Sequence, residues 1–391
     1  MLRDHAYAQA PPLIAIIGGG QLARMLGACA LRLGLRVRCL AERPDDVAID
    51  LGEVVLGKAD SPSALDSLVR DASVVTFDHE WADPDQLAAA LPNGPPIRPG
   101  THTLHAIADK RRQRATLLRV GLLQPDFCEA RNVETALAFA NRHEADVVVK
   151  RPRGGYDGRG VALATGAEAI ARAVRAMDTG DGVLVEARVP YVRELAVCVT
   201  RGLDGTTVVY PTVESVNVNE RCEAVIVPAR VRPDVAERAT AAAIAAIEAF
   251  DCVGACTVEL FELEDGRVMI NEVSPRVHNT AHWTLEGANT SQFENHLRAI
   301  LGWPLGDTGL RAAAAAMVNV FGMPDGVDPS SRLSEAMSSG AAAIHLYGKR
   351  DPRAGRKLGH VTAVGPDADD VLQQARRVAS TLMGIHTGST S

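Results

Sequence analysis

Aromatic side chains are scarce in this chain, Phe, Trp and Tyr together making up 4% of it, so the core must be built from aliphatic residues. The scarcity also excludes a surface on which bases stack between aromatic and basic residues. An excess of positive charge is missing as well: the formal charge is −7 over 391 residues, which argues against a general nucleic-acid binder and makes any anion site local. Long hydrophobic runs are absent, the longest small-apolar run, Ala312 to Val318, falling far short of a membrane span. Ala8-Gln9-Ala10 resembles a cleavage site, but no apolar segment precedes it, so residues 1–12 read as a loose extension. The seven cysteines form no metal-type pairs, and Cys252 and Cys256, the one close pair, read as core filling. A reducing cytoplasm fits. What remains is a globular chain long enough for about two to three domains, with 47% hydrophobic and 23% charged residues.

The first such unit reads as a wound parallel sheet. Leu13 to Ile17 has strand length, Gly18-Gly19-Gly20 breaks it, and Leu22, Met25, Leu26, Cys29 and Leu33 follow at helical spacing. Val37 to Leu40, Val54 to Leu56 and Val74 to Phe77 supply further strands, with helices at Ala64 to Val69 and Gln86 to Leu91. Gly18-x-Gly20-x-x-Ala23, with Glu42 past the second strand, approximates a dinucleotide fingerprint. The same turn serves equally as a general phosphate or carboxylate cradle that presents Gln21 first. Asp78-His79-Glu80 closes the fourth strand where ligands collect in such sheets, and Glu80 reads either as a substrate contact or as a helix-start acid.

Turn-rich residues 93–100 mark a boundary, and one basic helix, Leu104 to Val120 with Gly121 as its cap, follows. A small α/β unit comes next, with helix Val133 to Arg142, strands Asp146 to Lys150 and Val161 to Ala164, helix Ala167 to Met177 and strand Val183 to Val189. Between its first two strands the loop from Lys150 to Gly160 holds four glycines and three further cations. Glycine lets backbone N–H groups approach phosphate oxygens and the cations neutralise them, so the loop reads as a flap over a polyanion. Alone, such a loop is equally a surface hairpin.

Strands at Glu194 to Val199, Thr206 to Pro211 and Ala224 to Val227 precede an Ala-rich helix, Asp234 to Phe250, and a hairpin of Ala255 to Leu263 with Val268 to Asn271. Glu259 and Glu272 sit on these neighbouring strands. Two carboxylates side by side in a half-buried place call for a cation between them, and Mg²⁺ is the natural one because it takes one or two carboxylates plus phosphate oxygens. Arg276, His278 and Asn279 directly after the second carboxylate extend the site. In the last segment, five basic residues among the nine from Lys349 to Lys357, set on a Pro/Gly turn, suit a monophosphate or form an ordinary exposed hairpin.

Together these pieces resemble the ATP-grasp superfamily, and within it the 5-(carboxyamino)imidazole ribonucleotide synthase family of purine biosynthesis. Lys150 with Gly154 to Gly160 resembles the family's lid, and Ile270-Asn271-Glu272 through Asn279 with His282-Trp283 its metal and substrate motif. Gly18-x-Gly20-Gln21-Leu22-x-Arg24-Met25 and Gly355-Arg356-Lys357-x-Gly359-His360 resemble its first loop and last turn. The resemblance implies an α/β architecture: an N-terminal pre-ATP-grasp domain over 1–109, an ATP-grasp domain over 110–309 with its lid at about 123–190, and a small β-rich domain over 310–391. It implies a ligase that uses ATP and bicarbonate to carboxylate 5-aminoimidazole ribonucleotide, with Mg²⁺ or Mn²⁺ on Glu259 and Glu272, in a cytoplasmic homodimer with no nucleic-acid or membrane partner.

By the same resemblance ATP meets Lys110, Lys150, Gly155, Tyr156, Asp157, Gly158, Arg159, Gly160, Val161, Glu186, Ala187, Arg188, Val189, Glu194, Asn217, Asn271 and Glu272. The ribonucleotide meets Gln21, Leu22, Glu80, Tyr156, Asp157, Arg159, Arg276, His278 and Asn279, with its phosphate on Lys349 and Arg356. Catalysis falls to Lys150, Arg276, and His278 or Asp157. Lys110 stands where the family commonly has Arg, Asn217 where it has His, and Ala354 where it has Pro. The competing readings are a formate-dependent sibling ligase, a nucleotide-binding protein without turnover, and an NAD-dependent dehydrogenase resting on the glycine turn.

Overall fold

The computed structural model describes residues 10–143, 146–155 and 160–385, arranged around three sheets. In the first, β1 (Leu13–Ile17), β2 (Arg36–Ala41), β3 (Glu53–Leu56) and β4 (Val74–Phe77) are parallel in the order β3-β2-β1-β4. Every residue of β1 and β4 is buried, which is why β1 reads as an unbroken apolar run and β4 as one broken only by Thr76. The order reverses between β1 and β4, so the glycine turn after one and Asp78 to Glu80 after the other emerge side by side.

A second, antiparallel sheet is made of β5 (Phe127–Ala130), β6 (Asp146–Lys150), β7 (Val161–Thr165) and β8 (Val183–Ala187), in the order β5-β8-β6-β7. Helices Val133–Ala140 and Ala167–Met177 bury their apolar stripes against it. Lys150 pairs with Val161 at the end of β6, and Arg151 N–H still donates to Gly160 O at 2.8 Å, so the flap loop leaves and returns at one place.

The third sheet holds β9 (Arg193–Arg201), β10 (Thr207–Val209), β11 (Val213–Val218), β12 (Arg221–Val227), β13 (Gly254–Glu262), β14 (Val268–Ser274), β15 (Ala314–Phe321), β16 (Ala343–Leu346) and β17 (Lys357–Gly365). Its order is β14-β13-β9-β11-β12-β15-β17-β16, with β10 beside β9, and the pairings are antiparallel. Helix Pro233–Ala249 covers β9, β13 and β14 with an apolar stripe of Val235, Ala239, Ala243, Ala246 and Ile247.

Four expectations change. The basic helix breaks into Thr101–Ile107 and Lys110–Arg119, because Asp109 caps a new start by accepting from Arg111 N–H at 3.0 Å. β11 was missed, since Glu214, Ser215 and Asn217 interrupt its valines and its end is exposed. The C-terminal strands do not form a sheet of their own: β15 pairs with β12 and continues the large one. Cys252 and Cys256 are fully buried as core residues, and their sulfurs are joined in a disulfide.

Candidate active site

One cleft of about 1700 Å³ runs between the three sheets. Gly155 and Val161 of the flap line it together with Lys110, Lys150, Glu186, Ala187, Arg188, Val189, Glu194, Asn217, Glu259, Asn271 and Glu272. The same cleft is lined by Gln21, Leu22, Glu80, Arg276, His278, Asn279, Lys349 and Arg356. Tyr156, Asp157, Gly158 and Arg159 lie outside the described residues. Gly160 does not line the cleft, its carbonyl closing the neck of the flap instead. Leu22 reaches the cleft only at its edge, its side chain being packed in the core at 6% exposure.

The glutamates are brought together by register. Glu259 of β13 pairs directly with Glu272 of β14, while the next pair is Leu260 with Ile270. Asn271 is therefore the extra residue of a bulge. In an unbroken strand Asn271 and Glu272 would point to opposite faces, and the bulge turns both into the cleft. Burial first, then the Glu272 and Glu194 carboxylates, push the Glu259 carboxyl up to about 7. Lys110 Nζ meets Glu272 Oε1 at 2.5 Å, and His278 Nε2 lies 3.7 Å from Glu259 Oε1.

Beside them is a buried ion cluster. Lys150 Nζ meets Glu186 Oε2 at 2.7 Å and Asn271 Oδ1 at 3.1 Å. Arg114 Nε donates to the other Glu186 oxygen at 2.6 Å, and its Nη atoms donate to the carbonyls of Ile270 and Asn271. Burial alone would raise the Glu186 carboxyl, but Lys150 and Arg114 hold it at about 2. Burial lowers the Lys150 ammonium, against the pull of Glu186. Glu186 lines the cleft, and its carboxylate is committed to two cations.

Further along, Glu194 accepts from Tyr191 OH at 2.8 Å and from Asn217 Nδ2 at 2.5 Å, the latter turned by a bulge at Val216–Asn217. Burial raises the Glu194 carboxyl. Tyr191 stacks on Phe261, ring centroids 4.5 Å apart.

At the other end Arg276 forks onto Glu80, Nε to Oε2 at 2.5 Å and Nη2 to Oε1 at 3.3 Å. Burial opposes ionisation of Glu80, yet Arg276 keeps it at about 2, and Glu80 in turn raises the Arg276 guanidinium. Glu80 therefore lines the cleft paired with Arg276 and is not a helix cap, a role Asp83 takes. His278 is fixed through its backbone by Gln292, which accepts from its N–H and donates to its carbonyl, both at 2.8 Å. Asn279 exchanges amide hydrogen bonds with Asn319 and accepts from Lys357 Nζ at 3.2 Å. Lys349 donates to Lys357 O at 2.8 Å, and Arg356 to Asp351 O at 2.9 Å.

Residues 12–108 match the ribonucleotide synthetase preATP-grasp domain family, 115–293 the ATP-grasp domain family, and 315–374 the phosphoribosylaminoimidazole carboxylase C-terminal domain family. The N5-carboxyaminoimidazole ribonucleotide synthase of Mycobacterium tuberculosis is 39% identical over 376 residues, covering 94% of this chain and 87% of that one. The chain belongs to the N5-carboxyaminoimidazole ribonucleotide synthase family. The synthase of Synechococcus elongatus is 34% identical, covering 95% of each chain. The Aspergillus clavatus carboxyaminoimidazole ribonucleotide synthase complexed with ATP superposes with a TM-score of 0.88 at 30% identity, over 96% of this chain and all of that one. The enzyme of the same organism in complex with ADP and 5-aminoimidazole ribonucleotide gives 0.87 at 29%, over 95% and 99%.

Within this synthase family fold, sequence reasoning missed Arg114, Asp78 and Lys357. Arg114 looked like one cation in a basic helix, and only its 2% exposure betrays its role. Asp78, whose carboxylate accepts from the N–H groups of Gly20 and Ala23, was passed over for Glu80. Lys357 stood in a quoted motif without being singled out.

Proposed function

We propose that the chain carboxylates the 5-amino group of 5-aminoimidazole ribonucleotide at the expense of ATP and bicarbonate, yielding the carbamate, ADP and phosphate in purine biosynthesis. The observation that carries this reading is the continuity of the cleft. A lysine, a flap and paired glutamates suited to a triphosphate share it with the Glu80–Arg276 pair and the Lys349 turn, suited to a ribonucleotide. That a solved relative is in complex with both ADP and 5-aminoimidazole ribonucleotide supports the reading.

Bicarbonate is a poor electrophile, so its oxygen first attacks the γ-phosphorus and ADP leaves. The carboxyphosphate then breaks its C–O bond to phosphate, giving carbon dioxide and inorganic phosphate, and the amine lone pair bonds the carbon. Arg276, held in place by Glu80, orients the bicarbonate and its phosphorylated form. His278, whose backbone Gln292 fixes on both sides, takes the amine's proton, with Asp157 the alternative. Lys150 and Lys110 balance the charge that spreads over the phosphate oxygens. The flap excludes water from an intermediate that water would destroy.

The donor set fits a divalent ion: two half-buried carboxylates on neighbouring strands, one of them pushed up to about 7 by burial and by the Glu272 and Glu194 carboxylates. Glu259 and Glu272 would hold Mg²⁺, or Mn²⁺ in its stead. When bound, the ion supplies charge neutralisation at the phosphates. A homodimer is the assembly expected. The deciding experiment is ADP release at fixed bicarbonate, with and without the ribonucleotide. Stimulation by the ribonucleotide is expected, and release that needs formate but ignores the ribonucleotide overturns the proposal.

A further inference from the structure

Three alternate residues at the end of β4 are each tied to another element. Thr76 Oγ1 lies 2.8 Å from His296 Nε2, while Nδ1 of that ring accepts from Ala255 N–H at 3.1 Å, which leaves the ring proton on Nε2. Glu80 takes Arg276. Between them, Asp78 turns back into its own sheet: Oδ2 accepts from Gly20 N–H at 2.6 Å and Oδ1 from Ala23 N–H at 3.0 Å. These donors belong to the start of helix Gln21–Arg32, whose first turn carries no acidic residue and no side-chain cap of its own. A helix start of this kind otherwise attracts an outside anion. The glycines are shaped to admit Asp78. A Cβ on Gly20 would lie 2.2 Å from Asp78 Oδ2, and one on Gly18 would lie 2.6 Å from Asp78 Cβ on a backbone with φ of +114°.

We propose that Asp78 is a positioning and specificity-determining residue, a resident carboxylate that closes the glycine cradle to phosphate groups and fixes Gln21 at the ribonucleotide end of the cleft. The turn that looks like a dinucleotide fingerprint therefore holds no pyrophosphate, because its anion is built in. Nucleotide phosphates are left to Lys150, the flap and the Lys349 turn. The effect on the ribonucleotide rests on the function proposed above; the closing of the cradle does not.

The test compares Asp78→Ala and Asp78→Asn with the wild type. For Asp78→Ala, the apparent KM for the ribonucleotide is expected to rise on the order of tenfold, the scale of two helix-start donors left unpaired, with the KM for ATP within about twofold. Added acetate should restore the ribonucleotide KM, since a free carboxylate can occupy the emptied cradle. Asp78→Asn keeps the shape and offers one acceptor oxygen, so it should give a smaller rise that acetate does not correct. By calorimetry with saturating ADP present, Asp78→Ala should bind one more sulfate per chain than the wild type. Wild-type KM values in both variants, an equal rise for both substrates, or neither acetate rescue nor the extra sulfate in Asp78→Ala would overturn the inference. If Asp78→Ala does not fold, Asp78→Asn decides alone: a rise confined to the ribonucleotide supports the inference and wild-type values sink it. If the wild type itself ignores the ribonucleotide, the proposed function fails, and the sulfate count still decides the cradle.

Discussion

Replacing Arg114 by Met isolates a buried cation whose work is wholly internal. Its side chain is 2% exposed and places three nitrogens: Nε on Glu186 at 2.6 Å, Nη1 on Ile270 O at 3.0 Å and Nη2 on Asn271 O at 2.7 Å. Methionine keeps the apolar stem and removes every donor, leaving Glu186 with Lys150 alone and two strand carbonyls short of a partner. Breaking one side of a buried ion pair costs about 3–5 kcal/mol. For a cooperative unit of ordinary domain size this lowers the melting temperature on the order of 10 °C. The assay is thermal unfolding followed through fully buried Trp283, with ADP release measured in parallel. Because the carbonyls of residues 270 and 271 flank the bulge that aims Asn271 and Glu272, turnover should fall together with stability. The pH dependence has a fixed sign. A carboxylate with a depressed folded-state pKa contributes stability that is complete above about 4.5 and is lost as the pH falls toward 2, so variant and wild type should converge through that window. An Arg114→Met protein that melts within about 2 °C of the wild type would refute the reasoning.

Glu272→Ala should lower ribonucleotide-dependent ADP release by on the order of 10²-fold, the worth of one charge contact in the transition state, and wild-type-like turnover would remove Glu272 from the metal site. Lys349→Ala should mainly raise the apparent KM for the ribonucleotide at little change in kcat, and an unchanged KM would put the phosphate elsewhere. Burial depresses His296 to about 4 from 6.5, so the unfolded chain binds its proton more readily between those values and folding should weaken on acidification across that range. His296→Gln should flatten that slope in denaturant titrations, and an unaltered slope would show that another group causes it.

Much of the architecture could be read in advance because its elements announce themselves locally. β1 and β4 are buried on both faces and appear as apolar runs; the helix Ala167–Met177 and the strand Asp146–Lys150 fall where periodicity placed them. Elements that fail to announce themselves were missed or merged. The valines of β11 are interrupted by Glu214, Ser215 and Asn217 and its end is exposed, and the stop at Asp109 is a capping hydrogen bond hidden inside a basic run. The candidate site was legible as residue types in order, since a flap of glycines and cations and a pair of carboxylates carry their chemistry in composition.

By itself, the sequence determined which groups are present and that Glu259 and Glu272 ride on neighbouring strands. Tertiary structure alone decided how they are aimed: that Asn271 is the added residue of a bulge, that the Glu186 carboxylate serves Lys150 and Arg114, and that Asp78 fills the glycine cradle. The reason is physical. A strand's alternation is local and repeats every two residues, whereas a bulge, a buried ion pair and a carboxylate 58 positions from its donor depend on the register between strands far apart in the chain.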